Sequence, residues 1–171
     1  SLVKDNFAKY KRNSNEKVGL YSASFDVVHA GHLNIIKESS LLVDTLYVGI
    51  ATKEDKEYMF SSLERMWILQ REVDKLGLTN VKLVEVKPDI PRFMNKNHIT
   101  YLFRGVRNEE DFANEFVRLY DFQKINNHFK EVLLFGDSKY HKHSSTKVKE
   151  LLADNKDVSR YITKDMENKI K

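Results

Sequence analysis

Five short apolar runs recur along the chain after residue 16, and polar or charged stretches separate them. Their length is that of a strand rather than of a helix, and apolar runs bounded in this way are typical of buried β-strands. We therefore predict five strands. The runs are KVGLYSA (17–23), TLYVGIA (45–51), VKLVEV (81–86), YLFRGV (101–106) and EVLLFGD (131–137).

Segments with a helical spacing of apolar residues lie between and after these runs. In the second of them, Ser61 and Glu64 stand at the spacing of a capping box, and Gly77 is placed to end the helix. We predict one helix in each segment. The segments are HLNIIKESSLLV (32–43), SSLERMWILQREVDKLG (61–77), EEDFANEFVRLYDFQKINNHF (109–129), TKVKELLADN (146–155) and DMENKIK (165–171).

The order of these elements indicates the fold class. Strand and helix alternate along the chain, which favours a parallel sheet covered by helices on both faces. We predict one α/β domain over residues 17–171, built on a doubly wound five-stranded parallel sheet, with an N-terminal arm or linker over residues 1–16. In such folds, ligands bind beyond the carboxyl ends of the strands. The loops that follow strands are therefore the places to search for functional residues.

The composition of the 171 residues limits the class of protein and the cellular compartment that we expect. It is 41% hydrophobic and 32% charged, as in ordinary soluble domains, and it contains no cysteine. Disulfides and thiolate metal sites are thereby excluded, and a reducing compartment such as the cytoplasm is expected. No apolar stretch approaches the roughly 20 residues of a membrane span, and the N-terminus shows no secretory hydrophobic region.

The charge pattern bears on the class of partner. The formal net charge is +4, and 29 basic and 25 acidic residues are scattered along the chain. Nucleic-acid-binding proteins usually carry a denser basic stripe with interleaved aromatic residues. We therefore expect small-molecule ligands, and neither a nucleic acid nor a membrane.

The stretch SFDVVHAGH (24–32) follows the first predicted strand and enters the first predicted helix. Unpaired N–H groups at a helix N-terminus favour a phosphate, and Gly31, which has no Cβ, allows close approach. His29 and His32 would lie beside the same point and donate hydrogen bonds to phosphoryl oxygens. Plain helix capping is the alternative. A zinc site is disfavoured, because no carboxylate or third histidine lies nearby at ligand spacing.

Cationic residues follow two other predicted strands. Lys53 and Lys56 come after the second strand, and a solvated charge run is the better interpretation for Lys53. Arg104 and Arg107 flank Gly105 at the end of the fourth strand. Their guanidinium groups are suited to clamping phosphates, because each offers bidentate donors. Ion pairs with the carboxylates of the following NEED segment are the alternative.

Hydroxyl groups follow the fifth predicted strand. Ser144, Ser145 and Thr146 stand at the entry of a helix, where one of them is expected to be an ordinary N-cap. Three in a row also form a second cradle of hydroxyls and backbone N–H groups for phosphate. Together, the loops after the first, second, fourth and fifth strands predict a nucleoside-triphosphate site at one edge of the sheet.

The order of these motifs matches a group of known enzymes. The motifs are HAGH (29–32), MFSSLER (59–65), FRGVR (103–107) followed by DF and Glu115, and SSTKVKE (144–150). With them, the chain resembles the HxGH nucleotidyltransferase superfamily and, within it, the phosphopantetheine adenylyltransferase family, from Val18 to the C-terminus. The resemblance implies a Rossmann-like nucleotidyltransferase fold. It also implies that ATP and 4′-phosphopantetheine give dephospho-coenzyme A and pyrophosphate.

The resemblance carries specific roles onto this chain. It implies that His32, Lys56 and Arg104 are catalytic, that Mg²⁺ is held mainly through the ATP phosphates, and that the protein is a homohexamer. The long helix after FRGVR is a candidate for subunit packing. The implied acceptor-binding residues are Ser24, Lys56, Ile90 and Arg104. The implied ATP-binding residues are Ser24, Phe25, His29, Gly31, His32, Gly105, Val106, Arg107, Glu115, Tyr140, His143, Ser144, Ser145 and Thr146.

Several positions depart from the family pattern. Ala23-Ser24 stands where the family has a Gly-Thr pair, and His29 stands where a smaller polar residue is common. Phe122 replaces a typical asparagine, and the run from His141 to His143 replaces a more neutral stretch. The alternatives are therefore a nicotinate-mononucleotide adenylyltransferase, a glycerol-phosphate-type cytidylyltransferase, a catalytically silent nucleotide-binding module and an RNA-binding module.

Overall fold

The computed structural model describes residues 16–170, in which five parallel strands form one sheet in the order β3-β2-β1-β4-β5. Apart from Glu16, the predicted N-terminal arm lies outside the described residues. The five predicted strands are confirmed, with ends that differ by a few residues. They are β1 (Val18–Ala23), β2 (Thr45–Ala51), β3 (Val81–Val86), β4 (Tyr101–Gly105) and β5 (Lys130–Leu134).

The predicted helices are confirmed, and one helix is added to them. At the start of the second helix, the side chains of Ser61 and Glu64 each accept a hydrogen bond from the other residue's backbone N–H, as the capping-box spacing predicts. The helices are α1 (Ala30–Ser40), α2 (Ser62–Lys75), α3 (Ile90–Asn97), α4 (Glu109–Gln123), α5 (Ser145–Ala153) and α6 (Lys164–Ile170). A short 3₁₀ helix over Ser138–Tyr140 precedes α5.

Helices cover both faces of the sheet, as the alternating pattern predicts. Leu20 of β1 and Leu102 of β4 belong to a buried cluster with Met94 of α3. The next residues along these strands, Tyr21 and Phe103, belong to a larger cluster on the other face, with side chains of α1, α2, α5 and α6. Successive residues of a strand point to opposite faces, so each strand contributes to both cores. The doubly wound α/β architecture is confirmed.

Helix α3 is not predicted from the sequence, because its eight residues are too few for a clear helical period. Its local signals are nevertheless ordinary. The carboxylate of Asp89 accepts a hydrogen bond from the backbone N–H of Arg92 at 3.3 Å, and Pro91 lies in the first turn. The helix ends at His98, which has a left-handed backbone with φ of 56°.

The helix predicted over residues 109–129 ends earlier, at Gln123. The side chain of Asn126 accounts for this end. Its amide donates to the carbonyl of Pro91 at 3.0 Å, and its Oδ1 accepts from the backbone N–H of His128 at 2.9 Å. This local turn competes with further helical hydrogen bonds. Within residues 16–170, no helix has the length and apolar character needed to span a bilayer.

Candidate active site

A cleft of about 350 Å³ opens beyond the carboxyl ends of β1 and β4, where the strand order reverses. Loops after β1, β4 and β5 line it, together with one face of α4. The predicted site residues that line it are His29, Gly31, His32, Arg104, Gly105, Val106, Arg107, Glu115, Tyr140, His143, Ser144, Ser145 and Thr146. Residues of the lining outside the predicted set are Tyr21, Ser22, Ala23, Ile35, Asp111, Asn114, Arg118, Phe135 and His141.

His29 and His32 cap α1 reciprocally. His29 is the N-cap residue, and its Nδ1 accepts a hydrogen bond from the backbone N–H of His32 at 3.3 Å. Nδ1 of His32 accepts from the backbone N–H of His29 at 3.1 Å, and the two rings stack with centroids 3.7 Å apart. This capping box made of two imidazoles explains why the histidines are three residues apart. Because both rings also line the cleft, capping and ligand contact are compatible here.

Both of these rings are held in the neutral form. Burial lowers the pKa of His32 to about 3, and the positive charge of Arg107 adds to the effect. Burial, followed by the charges of His32 and His143, lowers the pKa of His29 far below its ordinary value. Because each Nδ1 accepts an N–H, the proton of each ring lies on Nε2. His32 therefore offers a neutral N–H donor at the wall of the cleft.

Gly31 is required by the histidines packed around it. A Cβ at this position would lie 2.9 Å from ring atoms of His29 and 3.3 Å from the Cβ of His143. The ring of His143 is buried, and its centroid lies 6.1 Å from that of His29 in an edge-on arrangement. The glycine thus lets three imidazoles gather at the start of α1.

Arg107 forms the ion pair that the sequence analysis leaves open as an alternative. Its Nε and Nη2 donate to the two carboxylate oxygens of Asp111, at 2.9 and 3.2 Å. Its Nη1 donates to the carbonyl of His143 at 3.0 Å. The guanidinium therefore links the start of α4 to the loop after β5, at the wall of the cleft. Its contact with ATP stays a prediction.

Arg104 is held by a buried carboxylate. Its Nε donates to Oε1 of Glu115 at 2.9 Å, and its Nη1 donates to the carbonyl of Ser22 at 2.9 Å. The same Glu115 oxygen accepts from Nη1 of Arg118 at 3.0 Å. Glu115 therefore positions two guanidinium groups at one wall of the cleft. Glu115 is predicted from the sequence to contact ATP, whereas Arg118 is not among the predicted site residues.

A second carboxyl group, that of Glu131 on β5, completes this cluster. Oε2 of Glu115 and Oε1 of Glu131 are both buried, and as ionised carboxylates they have no partner among the described residues. Burial, then the hydrogen bond to Glu115 and the negative charge of Glu115, raise the pKa of Glu131 to about 8. One proton on Glu131 then satisfies both oxygens, and Glu115 carries the single negative charge of the pair.

We expect Glu131→Gln to raise thermal stability at pH 8 and to leave it unchanged near pH 4. In the unfolded chain Glu131 ionises near its ordinary pKa of 4.5, whereas in the folded chain its pKa is raised and it stays protonated up to about pH 8. Stability is therefore lost as the pH rises through this window, and a glutamine amide avoids that loss. Allowing for partial exposure, the gain is on the order of 1 kcal/mol, or about 2–4 °C in Tm.

Thermal melts at both pH values test this prediction. Glu85→Gln, on an exposed position of β3, is the matched control and should shift neither melt. An identical response of the two variants at pH 8 would mean that Glu131 is already ionised there.

The three hydroxyl residues after β5, here called the hydroxyl loop (Ser144, Ser145 and Thr146), line the cleft at the start of α5. Ser144 is the N-cap that the sequence predicts, and its Oγ accepts from the backbone N–H of Lys147 at 3.0 Å. Ser145 donates to the carbonyl of Val27 at 2.8 Å, and this hydrogen bond connects α5 to the loop between β1 and α1. The phosphate cradle proposed for this loop stays a prediction.

Four predicted site residues do not line the cleft: Ser24, Phe25, Lys56 and Ile90. Phe25 is buried, and its ring packs edge-on against that of His32 with centroids 4.9 Å apart, so it supports the histidine. Lys56 is exposed, and its Nζ lies 5.3 Å from the ring centroid of Tyr58. Ile90 packs against the buried cluster beneath α3. The carbonyl of Ser24 accepts a hydrogen bond from a buried arginine of α2.

Asp26 connects the loop that carries Lys56 to the loop between β1 and α1 by hydrogen bonds. Its buried carboxylate accepts the backbone N–H groups of Met59 and Phe60, at 2.8 and 3.1 Å. Nζ of Lys149 on α5 also contacts it, at 3.1 Å. Asp26 is not predicted as a site residue from the sequence, because all of these partners are distant along the chain.

The buried arginine of α2, Arg65, hydrogen-bonds to backbone carbonyls at the ends of β1 and β2. Its side chain is 1% exposed. Nη1 donates to the carbonyls of Ser24 and Ala51 at 2.8 and 3.1 Å, and Nε donates to that of Phe60 at 3.2 Å. The guanidinium also lies 4.0 Å from the ring centroid of Tyr58. Arg65 therefore fixes the backbone on which Ser24 and the Lys56 loop depend.

The sequence of this chain matches known protein families, and the matched range includes all residues that line the cleft. Residues 20–151 match the cytidylyltransferase-like family, a range that contains every residue of the cleft lining. The phosphopantetheine adenylyltransferase of Borrelia duttonii is 31% identical over 156 residues, which cover 91% of this chain and 94% of the relative. That of Streptococcus mutans is 32% identical over 149 residues, covering 86% and 88%. The chain belongs to the phosphopantetheine adenylyltransferase family.

A solved structure agrees with this family at the level of the fold. The Plasmodium falciparum nicotinic acid mononucleotide adenylyltransferase complexed with NaAD superimposes with a TM-score of 0.67. The match covers 89% of this chain and 93% of that one, at 15% sequence identity. This member of the phosphopantetheine adenylyltransferase family therefore has the Rossmann-like nucleotidyltransferase fold that the resemblance implies.

Family membership also fits what the motif residues do in the structure. The HAGH residues begin α1, the arginines of FRGVR end β4, and the hydroxyl loop begins α5, and all three reach one cleft. Two lining residues that were not predicted, Asp111 and Arg118, had a detectable signal. They lie four residues before and three residues after the predicted Glu115, so one face of α4 could have been assigned to the site from the sequence.

Proposed function

We propose that the chain transfers the adenylyl group of ATP to 4′-phosphopantetheine, giving dephospho-coenzyme A and pyrophosphate. The observation that carries this proposal is the convergence of His32, Arg104 and the hydroxyl loop on one cleft in a member of this family. The relatives' names supply the acceptor, and the cleft supplies the cations and donors that phosphoryl chemistry requires. We propose the cytoplasm as the setting, from the cysteine-free composition.

In the proposed reaction, an oxygen of the acceptor phosphate attacks the α-phosphorus of ATP. The bond from that phosphorus to the bridging oxygen breaks, and pyrophosphate leaves with the electron pair. The nucleophile is already an anion, so no side chain has to remove a proton from it. Catalysis is then alignment of the two phosphates and stabilisation of the charge on the reacting oxygens.

The residues divide these tasks between them. Arg104, fixed by Glu115 and by the carbonyl of Ser22, is expected to hold the acceptor phosphate in line. The neutral Nε2–H of His32 is expected to donate to an oxygen of the α-phosphate as charge develops there. Lys56, on the loop tied down by Asp26, is expected to reach the same phosphates with its flexible stem.

We propose that Mg²⁺ is held mainly through the ATP phosphates and water. The donor set of the cleft fits this arrangement, because its two carboxylates, Asp111 and Glu115, are engaged by arginines. Mg²⁺ commonly keeps several waters and needs few protein ligands when phosphates bind it. When bound, the ion would neutralise charge on the triphosphate.

Pyrophosphate release by the purified protein tests the proposed function. Three mixtures with Mg²⁺ are compared: ATP with 4′-phosphopantetheine, ATP with nicotinate mononucleotide, and CTP with glycerol 3-phosphate. Turnover in the first mixture alone, abolished in Arg104→Ala, is the expected result. Turnover only in another mixture would assign a different acceptor. ATP binding without any turnover would favour the silent module.

We also propose a homo-oligomer, a hexamer by family resemblance, that packs through α4. This helix presents three faces: one lines the cleft, one joins the core, and one exposes apolar side chains. The exposed face carries Phe112, Phe116, Val117 and Tyr120, and Phe116 is 70% exposed. An apolar patch of this kind on a protein surface is typical of a protein–protein interface.

We expect Phe116→Glu to shift the sedimentation coefficient of the protein from that of an oligomer to that of a monomer. A charge placed in an apolar interface is costly to bury, and each copy would carry it. Leu63→Glu is the control, since Leu63 is 81% exposed on α2, away from this face. A sedimentation profile unaltered by Phe116→Glu would exclude α4 from the interface.

A further inference from the structure

The cleft-lining face of α4 extends beyond the residues that the family motifs include. Asp111, bound to Arg107, lies near its start, and Arg118 lies seven residues further on. At a rise of 1.5 Å per residue, Arg118 stands about 10 Å from Asp111 along the helix axis. Arg118 therefore lines the part of the cleft away from Arg107 and His143. It belongs to no motif that the sequence analysis singles out.

Arg118 is coupled to Arg104 through one oxygen. Both guanidinium groups donate to Oε1 of Glu115, at 3.0 and 2.9 Å. The two donor nitrogens therefore lie within about 6 Å of each other. Burial, and then repulsion by the positive charge of Arg104, lower the pKa of Arg118 below its ordinary value.

The charges of this cluster do not cancel. Glu131 carries the proton of the carboxyl pair, so Glu115 alone offers one negative charge to two guanidinium groups. The wall of the cleft is left with one excess positive charge. Such a surplus beside a cleft attracts an anion, and guanidinium groups bind phosphates through bidentate hydrogen bonds.

We propose that Arg118 is a second binding residue for the acceptor, and that Arg104 and Arg118 hold its phosphomonoester from two sides. The inference rests on the proposed function, in which Arg104 orients the acceptor phosphate. The substrate expected at Arg118 is then the acceptor and not the nucleotide, whose phosphates are expected at Arg107, His32 and the hydroxyl loop. A dianionic phosphate matches two guanidinium groups better than one.

Steady-state kinetics with Arg118→Gln and Arg118→Lys test the inference. At saturating Mg²⁺-ATP, Arg118→Gln should raise the KM for 4′-phosphopantetheine roughly 10- to 100-fold, the loss expected for a charged hydrogen bond. The KM for ATP should stay within about twofold of wild type, and lysine should recover part of the loss. Arg71→Gln is the control, because Arg71 is a half-exposed arginine of α2 outside the cleft.

A merely structural role for Arg118 predicts a different result. If the arginine only donates to Glu115, the glutamine amide of Arg118→Gln can replace that donor and the acceptor KM would stay unchanged, and the proposal would be wrong. A rise confined to the KM for ATP would overturn it as well, by assigning Arg118 to the nucleotide.

A binding measurement separates this inference from the proposed function. Calorimetric titrations use 4′-phosphopantetheine, its dephosphorylated form pantetheine, glycerol 3-phosphate and inorganic phosphate as probes. Arg118→Gln should weaken binding of the phosphate-bearing probes and leave pantetheine unaffected. If wild type binds these phosphates but does not turn over 4′-phosphopantetheine, the proposed function fails and the inference holds. Equal affinities of wild type and Arg118→Gln for every phosphate probe overturn the inference.

Discussion

His32→Ala is expected to lower kcat for adenylyl transfer roughly 10²–10³-fold, the loss typical of removing one preorganised donor to a developing oxyanion. The ring that is lost is neutral, lines the cleft and is fixed on two sides, by the stacked His29 and by the edge of Phe25. His32→Gln should retain more activity than the alanine variant, because an amide N–H can replace Nε2–H. Single-turnover rates with saturating substrates measure the effect.

Two controls separate this loss from a folding defect. His32 also accepts the backbone N–H of His29, so the alanine variant should lose about 1 kcal/mol of stability as well. Melts must therefore show the variant folded at the assay temperature. His128→Ala, outside the cleft lining, should keep the wild-type rate. A kcat for His32→Ala within a few-fold of wild type would remove His32 from the transition state.

The pH dependence gives a further check on the same histidine. Since the pKa of His32 lies at about 3, the ring stays neutral throughout the working range. The ratio of wild-type to His32→Gln rates should therefore be constant between about pH 6 and pH 9. A ratio that changes near pH 6.5 would mean that the imidazolium, and not the neutral ring, assists the reaction.

Arg65→Met is expected to destabilise the fold by roughly 3–5 kcal/mol, because it removes a buried guanidinium group and leaves several part-buried carbonyls without that donor. The methionine fills much of the volume but cannot bind the carbonyls of Ser24, Ala51 and Phe60. The melting temperature should fall by about 10 °C or more. Urea unfolding followed by circular dichroism measures the change.

The matched control lies on the same helix. Arg71→Met replaces a half-exposed arginine and should change stability by less than about 0.5 kcal/mol. If Arg65→Met destabilised no more than Arg71→Met, the hydrogen bonds to the ends of β1 and β2 would carry no net stability.

The sequence predicts the sheet because each strand is a local pattern of apolar residues, and the same is true of the capping box at Ser61 and Glu64. The loops that form the cleft follow from the rule that parallel strands end at one edge. These predictions need only neighbouring residues and general topology. For that reason the HAGH, FRGVR and hydroxyl-loop residues were found at the cleft.

What the sequence does not predict depends on partners far along the chain. Arg65 resembles any helical arginine until the carbonyls of two strand ends meet it. Glu131 resembles an ordinary strand glutamate until the fold places it against Glu115. The end of α4 depends likewise on the contact between Asn126 and Pro91, 35 residues apart. Such contacts exist only in the folded chain.

The strand order has a consequence for how the protein resists opening. In the sheet, the segment from β1 to β3 and the segment from β4 to β5 are joined at one boundary, where Gly19, Leu20 and Tyr21 pair with Tyr101, Leu102 and Phe103. The cleft lies over the end of this boundary, so one bound ligand touches both segments. A ligand bound in the cleft therefore stabilises the pairing of β1 with β4, which holds the two segments together. Resistance of the chain to proteases should therefore rise with substrate concentration.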